Sequence, residues 1–89
     1  MLVKLQKAND GIHKYIAVFS DGKKTKFGAE GYSDYTLHKD KERRERYRAR
    51  HRKDLETNNP QAPGYLSYYI LWNKPTLRAS IQDYNKRFF

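Results

Sequence analysis

The chain has no cysteine, so disulfides and thiolate metal sites are excluded and a reducing compartment suits it. It has no apolar run of membrane-spanning length, and Met1–Lys7 (MLVKLQK) lacks the apolar core of a signal peptide. The expectation is a soluble protein that is not secreted. Also missing are a cysteine nucleophile, a glycine-rich phosphate loop and a G-x-S-x-G elbow. Its three histidines, His13, His38 and His51, are too far apart in sequence to make a local metal motif. The acids sit beside bases, which argues against paired-carboxylate catalysis. The sequence therefore reads as non-enzymatic, with no catalytic, cofactor-binding or metal-binding residue and no small-molecule substrate.

What the chain has is positive charge and aromatic rings. Its 89 residues carry a net +9, and the pI is near 9.9, which favours phosphate-rich or acidic partners. A chain of this length buries only about 60–65% of its unfolded surface, so its core must be small. Eight tyrosines, four phenylalanines and one tryptophan can compensate, because each ring buries a large area.

The fold class reads as α+β in a single domain over 1–89: an N-terminal three-stranded antiparallel meander, then three or four helices. Residues 1–30 supply the meander. Val3 and Leu5 alternate with Lys4 and Gln6, Asn9-Asp10-Gly11 offers a turn, and His13–Ser20 is rich in β-branched and aromatic residues. Asp21-Gly22 signals a hairpin, and Lys23–Phe27 returns as the third strand, its lysines protecting the edge. Gly28 and Gly31 read as a strand exit and turn rather than a phosphate cradle.

Residues 33–55 form a charged helical segment. Ser33 is expected to cap a short helical turn through Tyr35 and Leu37, and Asp40 to cap the next helix. Within His38–Asp54, nine residues are Lys or Arg and four are Asp or Glu, a net +5. Asp40 and Glu42 in the first turn and Arg50, Arg52 and Lys53 in the last suit the helix dipole. Asp40–Arg44 and Glu42–Arg46 are expected i,i+4 pairs. Tyr47, His51 and Leu55 form one narrow docking stripe, which leaves Arg43, Arg44, Arg46, Arg48, Arg50, Arg52 and Lys53 as the candidate partner- or phosphate-binding set.

That set has three readings: nucleic-acid phosphates, an acidic protein surface met by arginine forks, or simply a solvated, internally paired helix. Tyr32, Tyr35 and Tyr47 would stack on bases if the partner were single-stranded. Residues 65–88 are expected to be a helical pair forming the apolar core. Asn58–Gly64 reads as loop, Tyr65–Trp72 as a buried helix, and Asn73–Thr76 as a corner. Thr76 then caps a helix striped by Leu77, Ile81, Tyr84 and Phe88. Tyr65, Tyr68, Tyr69 and Trp72 read as core rather than as a base-stacking platform.

Two segments carry a resemblance: FGAEGYSDYTLHKDKERRERYRARH (Phe27–His51) and GYLSYYILWNKPTLRASIQDYNKRF (Gly64–Phe88). Their F-G-x-x-G-Y-S-D-Y-T-x-H-K-D and L-W-N-K-P-T blocks resemble a family of small basic proteins of large nucleocytoplasmic DNA viruses of algae and protists. The resemblance carries over no catalytic or ligand residue. It implies a location in the virion or the host cytoplasm or nucleus. The implied role is a minor capsid or cement-type structural protein that bridges other virion or capsid proteins through the basic helix. The alternative is a nucleic-acid-binding protein that contacts phosphates through the same arginines.

Overall fold

In the computed structural model, which describes Met1–Phe89, three strands come first: β1 (Leu2–Lys7), β2 (Tyr15–Phe19) and β3 (Lys24–Phe27). They form an antiparallel sheet in the order β1-β2-β3. Both connections are made by the expected turn residues. Asp10 accepts from the amides of Ile12 and His13 at 2.9 and 2.8 Å, and Asp21 accepts from the Lys23 amide at 3.0 Å. Gly22 sits at φ 89°, a conformation that glycine adopts without a Cβ penalty.

One strand departs from the expected alternation. The β1–β2 register steps from Leu2↔Phe19 to Lys4↔Val18, a bulge around Val3. The extra residue shifts the side-chain phase, so Leu2 turns inward and Val3 is left 55% exposed, while Leu5 still packs on the core. A strict period of two from Val3 to Leu5 gives the wrong face for Val3 because it has no means of registering a bulge.

Four α-helices follow: α1 (Tyr35–His38), α2 (Lys41–His51), α3 (Pro63–Leu66) and α4 (Leu77–Phe88). A 3₁₀ segment, Arg52–Thr57, extends α2, and a π-helical turn, Ser67–Leu71, extends α3. The cap of α1 is Asp34, not Ser33. Its carboxylate accepts from the Thr36 amide at 2.9 Å and is paired with Lys14 Nζ at 2.5 Å. Asp40 caps α2 and Thr76 caps α4 as expected, each worth about 1 kcal/mol.

The expected buried helix over Tyr65–Trp72 is instead the short α3 followed by the π turn. The Trp72 amide bonds to Ser67 O at 3.1 Å, an i→i+5 span. Most of this segment is buried, with Tyr65, Leu66, Tyr68, Ile70 and Leu71 inside and Ser67, Tyr69 and Trp72 partly exposed.

The core lies between one face of the sheet and the last two helical elements. Leu2, Ala17, Phe19 and Phe27 from the strands meet Leu66, Ile70, Leu71 and Tyr84. The α4 stripe packs there as expected. Asn85 adds a strand-like clamp: its side chain accepts from the Leu2 amide at 2.9 Å and donates to the Leu2 carbonyl at 3.0 Å. The outer edge of β1 is thereby satisfied where the chain begins.

Candidate functional site

The basic helix is held to the domain more broadly than by Tyr47, His51 and Leu55. The Tyr47 ring lies against Trp72 at 4.2 Å and 6°, and His51 stacks on its other face at 4.1 Å. Burial raises the Tyr47 hydroxyl pKa, partly offset by the nearby polar side chain of Ser67. Leu55 contributes its carbonyl, which accepts from the Tyr65 hydroxyl at 2.8 Å.

Two members of the candidate arginine set join this docking face. Arg44 donates to Asn73 O at 3.1 Å and lies over the Tyr35 ring at 4.9 Å. It pairs with Glu45 at 2.9 Å rather than with Asp40, whose carboxylate is occupied by the first-turn amides of the helix. Arg48 donates to Tyr68 O at 3.2 Å and Trp72 O at 2.8 Å, and its guanidinium covers the Tyr68 ring at 4.1 Å. These carbonyls lie along and just beyond the π turn. A planar guanidinium suits such a place, since it can bond two oxygens and stack at once. Neither arginine is free for a partner.

The other five members remain outside. Arg46 reaches Glu42 at 3.8 Å, with both side chains largely in water, an interaction worth at most a few tenths of a kcal/mol. Arg43, Arg50, Arg52 and Lys53 are exposed and have no side-chain ion pair or hydrogen bond. On α2 the spacing of Arg43, Arg46 and Arg50, i, i+3 and i+7, puts three cations on one stripe about 10 Å long.

That stripe borders a cleft of about 480 Å³ between α2 and the segment that leaves β3. Arg43 and Arg50 line one wall, and Tyr32 lines the opposite one. Tyr47 and Trp72 also line it. The only carboxylate lining it, Asp34, is buried and engaged by Lys14 and the α1 cap. Gly28 makes the close approach at its rear. At φ 77°, a Cβ there would meet Leu71 Cδ1 at 3.0 Å and Lys14 Cβ at 3.2 Å.

The three tyrosines read as a stacking set have different surroundings. Tyr35 is buried at 3% exposure, and Tyr47 is sandwiched between His51 and Trp72. Tyr32 alone is open, at 74% exposure. Of the cluster read as core, Tyr65 and Tyr68 are buried, whereas Tyr69 and Trp72 are partly exposed and pack against the core.

The histidines are placed separately. His13 bonds Asp10, His51 bonds Asp54, and His38 packs beside Trp72 with Nδ1 accepting from the Asp40 amide at 2.9 Å. Burial, and then the nearby charge of Arg43, holds the His38 imidazole below its ordinary pKa, so it sits neutral beside the cleft.

No curated protein and no solved structure matches the chain. A family model does match, over residues 3–51, which runs from β1 to the last residue of α2 and so takes in the basic stripe and the Tyr32 segment. The L-W-N-K-P-T block lies beyond that match. On its strength the chain belongs to DUF5754, a family of unknown function.

Proposed function

We propose that this protein is a non-enzymatic module that binds a phosphate-rich partner, a nucleic-acid backbone, through the outer stripe of α2. The observation that supports this reading is the sorting of the arginines. Arg44 and Arg48 are engaged with the domain, whereas Arg43, Arg50, Arg52 and Lys53 have no partner and Arg46 has only a distant one. Arg43, Arg46 and Arg50 share one stripe of α2, and cations grouped in this way raise the local potential and release counterions when they meet phosphates.

The geometry sets a smaller salt dependence than a count of all the arginines would. With about four phosphates contacted, log affinity for duplex DNA falls with a slope of about −3.6 against log salt. Between about 50 and 200 mM salt, the expected loss is about 150-fold, read by fluorescence anisotropy on a labelled duplex. Affinity that does not change over this range, or no binding at the lower salt, overturns the reading.

A second reading has its own support. Met1, Val3, Ile12 and Leu37 are between 53% and 67% exposed, and a protein partner that packed on them would remove this apolar surface from water. Together with the resemblance to proteins of large DNA viruses, they favour a minor capsid or cement-type role in a particle. That role calls for stoichiometric recovery of the protein with purified, nuclease-treated capsids. Recovery only in the soluble extract of infected cells counts decisively against it.

A further inference from the structure

We infer that the cleft between α2 and the Gly28–Asp34 segment receives an unpaired nucleotide, so that the protein prefers single-stranded nucleic acid to duplex. This rests on the phosphate-binding reading and names the form of nucleic acid it takes.

The first observation is Tyr32 itself. A large ring at 74% exposure sits on a segment whose backbone is fixed rather than loose. The Glu30 amide bonds to Ile12 O at 2.9 Å, the Tyr32 amide to Ala29 O at 3.3 Å, and Asp34 is locked as the α1 cap. The ring is thus presented to solvent from a fixed base, which lowers the entropy cost of stacking on it. Tyr47 and Trp72, which also line the cleft, are stacked on each other, and His51 covers the second face of Tyr47.

The second observation is charge. Arg43 and Arg50 face Tyr32 across the cleft without an acidic partner, and the carboxylate of Asp34 is neutralised by Lys14. One side of the cleft therefore suits a phosphate and the other a base. The volume of about 480 Å³ is in the range that holds a nucleotide-sized ligand.

A single strand offers a phosphate and a free base face together, whereas a duplex keeps its bases stacked and paired and offers phosphates only. Tyr32 also lines a second, neighbouring cleft with Lys7 and Leu37, so the strand has a path past the ring. Glu30 offsets Lys7 on that side, which leaves the uncompensated positive charge of Arg43 and Arg50, and with it the phosphate contacts, on the arginine side.

The test compares a thymidine oligonucleotide of about twenty residues with a duplex of equal length, at about 50 mM salt. The single strand is expected to bind about 10-fold more tightly, and Tyr32→Ala to remove that advantage while duplex affinity stays unchanged. Tyr32→Phe, which keeps the ring, retains the preference. Arg46→Ala, on the stripe but outside the cleft, weakens both ligands alike. Equal affinities that Tyr32→Ala does not alter overturn this inference and leave salt-dependent duplex binding standing. Absence of binding to either ligand removes the inference and the phosphate reading together. Displacement by polyglutamate as effective as by the oligonucleotide assigns the cleft to acidic protein and also overturns it.

Discussion

Tyr84→Ala is expected to destabilise the domain by about 3–5 kcal/mol, close to its entire stability. Tyr84 is fully buried and is the largest such side chain. Its ring sits among Phe19, Phe88 and Phe89, with centroids at 6.4, 5.2 and 5.8 Å, and so joins the sheet to the C-terminal helix. The hydroxyl donates to Pro60 O, which ties the 58–62 loop to α4, and burial raises its pKa so that the donor proton is retained. Truncation to alanine removes the ring and orphans the carbonyl together. Tyr84→Phe removes only the hydrogen bond and should cost about 1–2 kcal/mol. Urea unfolding followed by circular dichroism ranks the two variants. If both lower the midpoint by the same small amount, Tyr84 is not the keystone of the core.

That keystone was legible in the sequence because the evidence for it is local. Leu77, Ile81, Tyr84 and Phe88 recur at helical spacing behind Thr76, and a helix with one apolar stripe must bury it. Asp40, Asp10 and Asp21-Gly22 were legible for the same reason: a short side chain bonds its own neighbouring amides whatever lies elsewhere. The bulge at Val3 was not legible, since the extra residue is defined only against its partner strand. Nor was the π turn, because Ser67–Leu71 carries no local signal that separates it from an ordinary helical turn.

The candidate site divides along the same line. That α2 would be a discrete basic helix followed from composition and capping. Which arginines it would surrender to the domain did not, because the acceptors of Arg44 and Arg48 are backbone carbonyls 20 to 29 residues away. Carbonyls leave no charge signature in a sequence. One signal was present: Arg44 and Arg48 lie one turn apart and share the helix face of Tyr47, His51 and Leu55. A long stem with a flat head on a docking stripe packs as readily as it projects. The sequence offers Tyr32, Tyr35 and Tyr47 alike for stacking, and only the fold separates Tyr32 from the other two.

Arg48→Ala should cost about 2–3 kcal/mol in stability, against no more than about 0.5 kcal/mol for Arg43→Ala or Arg50→Ala. The guanidinium of Arg48 makes two charge-assisted bonds to Tyr68 O and Trp72 O and covers the Tyr68 ring, and it is half-buried rather than screened by bulk water. Its removal leaves both carbonyls without this donor and loosens the face on which Tyr47 meets Trp72. Arg48→Lys should recover less than half of the loss, because an ammonium has no flat face to lay on the Tyr68 ring while it bonds the carbonyls. Affinity for labelled DNA, measured where every variant is folded, should run the other way: reduced by Arg43→Ala and Arg50→Ala, and preserved in Arg48→Lys. A variant set in which stability and affinity fall together along α2 would mean that the helix has one undivided basic surface. Separation of the two effects would mean that the same run of arginines both fastens the helix and presents it.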